Sequence, residues 1–303
     1  EMVGKSPKLE VVREQIEKVA PTNGRVLILG ESGTGKELIA RDIHRFSTRS
    51  RSPFIKVNCA AIPEELIESE LFGSDRGAFT GAVQTRDGKF LLAEGGTLFL
   101  DEIGDMSVSV QAKVLRALEQ GEFERVGGSE TIRVDVRVIA ATNKDLQHLV
   151  EEGQFREDLF FRLNVIPIVA PSLRERREDV PSLTSHFLNL YAEENGFRPK
   201  TMTPEAIDVL CRYEWPGNVR ELKNLVERLS IMVTRNDIRE EDLPGMKGPT
   251  IVRYEETDGA SAPYCLDQGK TLREVKETVE KAYIADALGN SGWNVTKAAK
   301  VLG

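Results

Sequence analysis

The feature that most constrains this chain is the run Gly-Glu-Ser-Gly-Thr-Gly-Lys at residues 30–36. A glycine, four residues and then Gly-Lys has physical meaning only between a strand and a helix. Both neighbours are present. Val26, Leu27, Ile28 and Leu29 form a short apolar run of the kind that makes a buried parallel strand. Leu38, Ile39 and Ile43 follow at helical spacing. The glycines let backbone N–H groups turn inward, and the helix start adds a field that favours anions. Gly30, Glu31, Ser32, Gly33, Thr34, Gly35, Lys36 and Glu37 therefore read as a cradle for a polyphosphate, with Lys36 reaching the terminal phosphates. A hydroxyl residue usually follows that lysine, and here Glu37 stands in its place. Thr34 or water then has to serve as the Mg²⁺ ligand.

A second segment completes the chemistry. Ala93, Glu94, Gly95, Gly96, Thr97, Leu98, Phe99 and Leu100 lead into Asp101 and Glu102. The whole segment, Asp101 and Glu102 included, is assigned to the nucleotide site. An apolar strand here delivers two acids at its C-terminal end, where open α/β sheets bind their ligands. Asp101 fits a holder of Mg²⁺, and Glu102 fits the group that polarises an attacking water. Either acid alone reads as an ordinary solvated charge. Beside the loop, the pair points to ATP hydrolysis, which needs little beyond positioning and charge neutralisation.

The rest of the chain is organised around these segments. Ser6 and Pro7 start a helix carrying Leu9, Val12, Ile16 and Val19. Residues 54–57 read as a strand, Pro63 starts a helix towards Leu71, and 73–88 is glycine-rich without a period. Ser107 caps a helix that turns Val114, Leu115 and Leu118 inward and closes at Gly121. Residues 131–141 read as one strand, with a hairpin at Gly127 and Gly128 before it. Residues 165–168 form another strand, and Pro167 places it at an edge. Strands alternating with helices argue for a parallel sheet covered on both faces. Beyond Pro171 the pattern is helical, with starts at Asp179, Thr203-Pro204 and Pro216. The expected division is 1–171 for an α/β domain, 172–244 for a helical lid, 245–269 for a linker and 270–303 for a further helical segment.

Composition excludes several classes. A net charge of −8 argues against a broadly basic nucleic-acid coat, so any DNA contact must be local. No run approaches the about 18 apolar residues of a membrane span, so no membrane partner is expected. Cys59, Cys211 and Cys265 lie far apart, and His44, His148 and His186 show no paired spacing. That pattern argues for a reducing cytoplasm, and so for a cytoplasmic protein, and against a disulfide framework or zinc site. Arg174, Arg176 and Arg177, flanked by acids, read as a solvated face near the nucleotide base. The chain begins at Glu1 rather than Met and stops at Gly303 inside what reads as a motif, so a longer parent protein is expected.

One further motif is more specific than the phosphate loop. Gly77, Ala78, Phe79, Thr80, Gly81 and Ala82 spell GAFTGA between the loop and the strand acids. With Glu70-Leu-Phe-Gly-Ser, Lys36-Glu37 and Trp215-Pro-Gly-Asn-Val-Arg-Glu-Leu, the chain resembles bacterial sigma-54-dependent transcription activators, the enhancer-binding proteins of the AAA+ class. The resemblance covers about residues 2–240, and more weakly the C-terminal segment. Glu37 agrees with this family's own pattern. The resemblance implies an AAA+ P-loop fold with a parallel sheet between helices, then an all-α lid and a C-terminal helical segment that starts a helix-turn-helix.

It also implies activity and partners. Subunits assemble into a ring, usually a hexamer, with a dimer or heptamer as alternatives, and use ATP and Mg²⁺. The GAFTGA loop engages the sigma-54 RNA polymerase holoenzyme and remodels the closed promoter complex. An exposed aromatic such as Phe79 at a loop tip is costly unless a partner covers it; the bland alternative is a hairpin that tucks Phe79 into its own core. By the same resemblance, Asn58 is a switch holding Glu102, and Asn143 a sensor of the γ-phosphate or the attacking water. Arg156 and Arg162, six apart and expected on nearby faces of one helix, resemble arginine fingers offered to a neighbour's ATP. Arg220 resembles a second sensor that couples the lid to the nucleotide.

Near the C-terminus, Leu272, Val275, Val279 and Tyr283 form an apolar stripe suited to helix packing or a dimer seam. Asn294 to Gly303 resembles the family's DNA-binding segment, which serves upstream enhancer DNA. Its recognition helix is expected just beyond Gly303. Two rival readings stay open on sequence alone. One is a different AAA+ remodelling ATPase, and the other is a DNA-binding regulator with a vestigial nucleotide site.

Overall fold

The computed structural model describes residues 2–78 and 84–243, all within the first of the chain's two units, Glu1–Thr250. Phe79, Thr80, Gly81 and Ala82, the expected linker and the C-terminal segment with Cys265 lie outside the described residues.

Five apolar runs become a parallel sheet: β1 (Val26–Leu29), β2 (Phe54–Asn58), β3 (Thr97–Asp101), β4 (Arg137–Thr142) and β5 (Ile166–Val169). Their order across the sheet is β2-β3-β4-β1-β5. Side chains alternate between faces with period two. Leu27, Leu98, Leu100, Val138 and Ala140 join one core cluster, and Val26, Ile28, Phe99, Ile139 and Ala141 join the other. Both faces are thus apolar, which is why these strands read as continuous hydrophobic runs. Pro167 sits in β5, which among the described residues pairs only with β1, so its missing N–H costs the sheet nothing at that edge.

Helices cover both faces. On one side lie α1 (Pro7–Val19) and α2 (Lys36–Arg45); on the other lie α3 (Glu64–Phe72), α4 (Val108–Gln120) and α5 (Glu157–Leu163). The Ser6 hydroxyl accepts from the Leu9 N–H at the start of α1, and Gly121 closes α4 in the left-handed region. Ser107 occupies the start of α4, but its hydroxyl meets Ser109 rather than a helix N–H. Val114 and Leu118 are buried, while Leu115 is only partly so.

One expected strand is divided. Thr131–Arg133 pairs antiparallel with Glu122–Glu124, and only Arg137–Thr142 enters the main sheet. The break is physical: Val134 N–H bonds to the Gly121 carbonyl, and the Asp135 carbonyl receives the Gly95 N–H, so the chain turns between the two pieces. Among its described residues, the glycine-rich stretch contributes a short pairing of Gly73–Ser74 with Arg86–Asp87 and a single bridge from Ser74 to Val126.

The lid consists of α6 (Val180–Asn195), α7 (Pro204–Arg212) and α8 (Asn218–Met232) around its own core. Trp215 is fully buried there, and its indole N–H donates to the Leu210 carbonyl at 2.8 Å. To the helices the lid adds one two-residue pairing, Thr201–Met202 with Asp237–Ile238.

Candidate functional site

The site forms where strand ends meet the lid. Lys36 is the first residue of α2 and is 6% exposed. Its Nζ donates to the Gly30 carbonyl at 2.9 Å and lies 3.2 Å from Glu102 Oε1. The other Glu102 oxygen accepts from the Asn143 backbone N–H at 2.9 Å. Lys36 follows β1, Glu102 follows β3 and Asn143 follows β4, the strand between them. Glu102 therefore spans the end of β4 to reach the lysine. Its backbone is left-handed, with φ of 53°, a costly conformation for a non-glycine residue and one that concentrates at functional sites.

The remaining acids follow the same logic. Burial and the adjacent Glu102 carboxylate raise the Asp101 carboxyl above its ordinary value. Glu37 is held on the α2 surface by Arg41 Nε at 2.9 Å and by Lys56 Nζ at 2.5 Å. Burial works against its ionisation, but the Lys56 and Arg41 hydrogen bonds outweigh it and hold the carboxyl below its ordinary value. Lys56 also lies 3.9 Å from Asp101. Lys36, Glu37, Lys56, Asn58, Asp101, Glu102 and Arg220 all line one cavity of about 630 Å³.

Lid and loop are in direct contact. The Gly33 carbonyl accepts from the Val219 and Arg220 N–H groups at 3.0 and 3.3 Å. The approach is close enough that a Cβ on Gly33, itself at φ of 79°, would fall 2.3 Å from the Gly217 carbonyl oxygen. Arg220 Nη1 donates to the Ser32 hydroxyl at 3.0 Å. Asn218 Nδ2 donates to Glu31 Oε2 and to the Ser32 carbonyl, and Arg174 forms a two-pronged pair with Glu31. Those Arg174 and Asn218 bonds hold the Glu31 carboxyl below its ordinary value. Thr34 is buried, and its hydroxyl donates to the Glu31 carbonyl at 2.9 Å.

Several expected residues stand apart from this cavity or from their expected partners. Asn58 borders it, but its Oδ1 accepts from the Ala60 N–H at 3.1 Å, and no Asn58–Glu102 hydrogen bond forms among the described residues. Of the segment from Ala93 to Glu102, only Asp101 and Glu102 line the cavity. Leu98, Phe99 and Leu100 are fully buried in the sheet. Ala93, Glu94, Gly95, Gly96 and Thr97 lie at the opposite end of β3, a strand length away, where Glu94 accepts from the Asp135 N–H.

Arg156 and Arg162 also lie outside the cavity lining. They do not share a helix as expected, because Arg156 is the residue preceding α5. It pairs with Asp158 at 2.7 Å, while the Arg162 Nε is buried with no hydrogen-bond partner among the described residues. The three arginines expected on a solvated face divide as well. Arg176 is 5% exposed and donates to the Thr34 carbonyl at 3.0 Å, whereas Arg174 and Arg177 sit in surface pairs with Glu31 and Glu214. Arg176 thus buttresses the phosphate loop.

Of Gly77 and Ala78, the described stem of the GAFTGA loop, Gly77 is exposed and Ala78 rests on the hairpin of residues 122–133. Asp75 N–H donates to the Val126 carbonyl, and Ala78 packs close against Gly127. Sequence reasoning did not find Lys56, Asn218 or the Glu31–Arg174 pair. Asn218 carried a signal, since it lies inside the Trp-Pro-Gly-Asn motif. Lys56 carried none beyond its place two residues before Asn58.

His44 is buried against the Thr97 hydroxyl at 2.9 Å, a structural contact. Burial pushes the Cys59 and Cys211 thiols up, away from reactivity. Among the described residues no helix is long and apolar enough to cross a membrane.

Comparison with known proteins gives the family of the chain. Residues 2–169 match the sigma-54 interaction domain, 174–250 the AAA+ ATPase lid domain, and 277–303 the bacterial regulatory protein, Fis family. The transcriptional regulatory protein ZraR of Escherichia coli K12 is 50% identical over 302 residues, covering 100% of this chain and 66% of ZraR. NtrX from Brucella abortus in complex with ADP superposes with a TM-score of 0.79 at 40% identity, over 100% of this chain and 66% of NtrX. Its complex with ATP gives 0.77 at 41% identity, with the same coverage. The chain thus spans just under two thirds of the length of these relatives. On the matched domains and the site geometry together, the chain belongs to the family of bacterial sigma-54-dependent transcription activators, with an AAA+ α/β domain, its helical lid and a Fis-type helix-turn-helix region.

Proposed function

We propose that this chain binds ATP between the phosphate loop and the lid, hydrolyses it, and uses the energy to convert a sigma-54 RNA polymerase closed complex into an open one. One observation carries the reading. Glu102 is aimed by the Asn143 backbone and paired with Lys36, so a base for water and a cation for the γ-phosphate meet at one strand end. NtrX, a relative of the same family, has been solved with ADP and with ATP, which supports nucleotide as the ligand.

Each residue has a role in this reading. The N–H groups of residues 30–36 and Lys36 hold the phosphates. Glu102 orients the attacking water, with Asn143 beside it. Arg220 carries lid position to the loop through Ser32. Asp101 fits a holder of Mg²⁺: it is a half-buried carboxylate crowded by Glu102. No group of three or more acid, His or Cys side chains forms a metal cage among the described residues. Mg²⁺ suits that situation, since it uses one or two carboxylates with phosphates and water. Bound there, the ion would neutralise phosphate charge. Thr34 and Glu37 are engaged within the protein, so water and phosphate would supply its other ligands.

Arg156 and Arg162 would complete a neighbouring subunit's site in a ring. Gly77 and Ala78 would anchor the tip, residues 79–82, that meets the sigma factor. In the proposed division into 1–171, 172–244, 245–269 and 270–303, the order of an α/β domain, a lid and a DNA-binding segment is supported by the three matched domains, although the lid match extends to residue 250. The last part would serve dimerisation and, in the parent protein, enhancer DNA.

Steady-state ATP hydrolysis and conversion of a sigma-54 closed complex to an open one test the proposal together. A ring that hydrolyses ATP but gives no open complex would remove the sigma-54 role. Thr80→Ala should spare hydrolysis and abolish conversion.

A further inference from the structure

A carboxylate directly after the loop lysine poses an electrostatic problem. Glu37 lies in the first turn of α2, where the helix field favours negative charge. That is the same field a polyphosphate would use. An unneutralised Glu37 would compete for it and repel the ligand. The structure answers the problem with Lys56. This residue comes from strand β2, which β3 and β4 separate from β1 in the sheet, rather than from the loop or its helix. Its Nζ reaches Glu37 Oε2 at 2.5 Å and stands 3.9 Å from Asp101 Oδ2. Arg41 takes the other Glu37 oxygen at 2.8 Å. The other cavity cations are engaged elsewhere: Lys36 with Glu102 and loop carbonyls, Arg220 with Ser32, and Lys223 over the Tyr191 ring.

We propose that Lys56 is a positioning residue of the phosphate site: it draws Glu37 aside and offsets Asp101, so that a polyphosphate takes the start of α2. The inference rests on the nucleotide reading above. It assigns Lys56 no contact with the reacting atoms.

Binding of a fluorescent ADP analogue in EDTA, where no divalent ion masks the carboxylates, provides the test. Lys56→Met keeps the aliphatic stem and removes the charge. Its affinity is expected to fall about fivefold, the scale for one lost partly solvated charge interaction near a surface. Lys56→Arg should stay within about twofold of the parent, since the charge is kept. The decisive variant is Glu37→Gln combined with Lys56→Met. Removing the unpaired carboxylate should restore affinity to near the parent value, a non-additivity expected only for coupled residues. Glu37→Gln alone should bind as tightly as the parent or tighter, and this variant tests the idea even if Lys56→Met does not fold. Unchanged affinity in Lys56→Met, no restoration in the double variant, or weaker binding in Glu37→Gln would each overturn the inference. A parent protein that fails to bind the analogue with or without Mg²⁺ would instead remove the nucleotide reading beneath it.

Discussion

Lys36 Nζ and Glu102 Oε1 lie 3.2 Å apart, with both side chains largely buried. The pair joins the phosphate loop to the end of β3 across the intervening strand β4. A buried pair of this kind is costly to break on one side only. It also fixes the Glu102 carboxylate beside Lys36, where the proposed function needs a base next to a terminal phosphate.

The first prediction concerns that base. Glu102→Gln should lower ATP turnover by a factor of about 10²–10⁴, the range for removing a positioned general base. Nucleotide affinity should change far less, because Lys36 and the loop remain. Turnover close to the parent's in a multiple-turnover assay would take Glu102 out of its assigned role.

Asp101 gives a prediction in the opposite direction for stability. Its folded-state carboxyl is raised by burial and by Glu102, so the ionised form costs stability at neutral pH. The cost vanishes as pH falls through the raised value towards the ordinary 3.8. Asp101→Asn should therefore melt higher than the parent at pH 7 without nucleotide, with the gap closing near pH 4, while losing hydrolysis. A lower melting temperature for the variant at pH 7 would contradict this account.

Lid and loop coupling can be tested at Gly33. A methyl there would meet the Gly217 carbonyl in a left-handed backbone. Gly33→Ala should loosen the lid from the loop, by about 1–3 kcal/mol of strain if the contact is retained. Hydrogen exchange at the Val219 and Arg220 amides, which bond to Gly33, reads it directly. Protection equal to the parent's would show that the loop can absorb the methyl.

The lid core rests on Trp215. Trp215→Ala removes a fully buried indole and strands the Leu210 carbonyl. The expected loss is about 3–5 kcal/mol, in the range for large core truncations. Chemical denaturation should show it as a lower midpoint, and a midpoint shift below a tenth of that size would mean the lid repacks.

Arg162 presents a buried Nε without a partner among the described residues, and Arg156 a surface pair with Asp158. If both serve a neighbour's nucleotide, Arg156→Ala and Arg162→Ala should each bind ATP normally as isolated subunits. Both should lose the rise in specific activity that accompanies assembly. A rise in activity with protein concentration that matches the parent's would assign the arginines to structure alone.

The sequence by itself determined the parts whose physics is local. Residues 30–36 need only their own glycines and flanking periodicity to declare a phosphate loop. The apolar runs of β1 to β5 declare a two-sided sheet, and Pro167 its edge. Relations between distant segments were decided by the tertiary structure, because no local pattern encodes which side chains meet. Residues 131–141 look uniform as a string, yet the turn held by Gly121 and Gly95 divides them. Arg176 looks solvated among its charged neighbours, yet it is buried against Thr34. Ala93 to Leu100 adjoin Asp101 and Glu102 in sequence, yet the strand holds them away from the cavity those acids line. Glu37 read as an anomaly of the loop, and only the fold brought Lys56 from another strand to neutralise it.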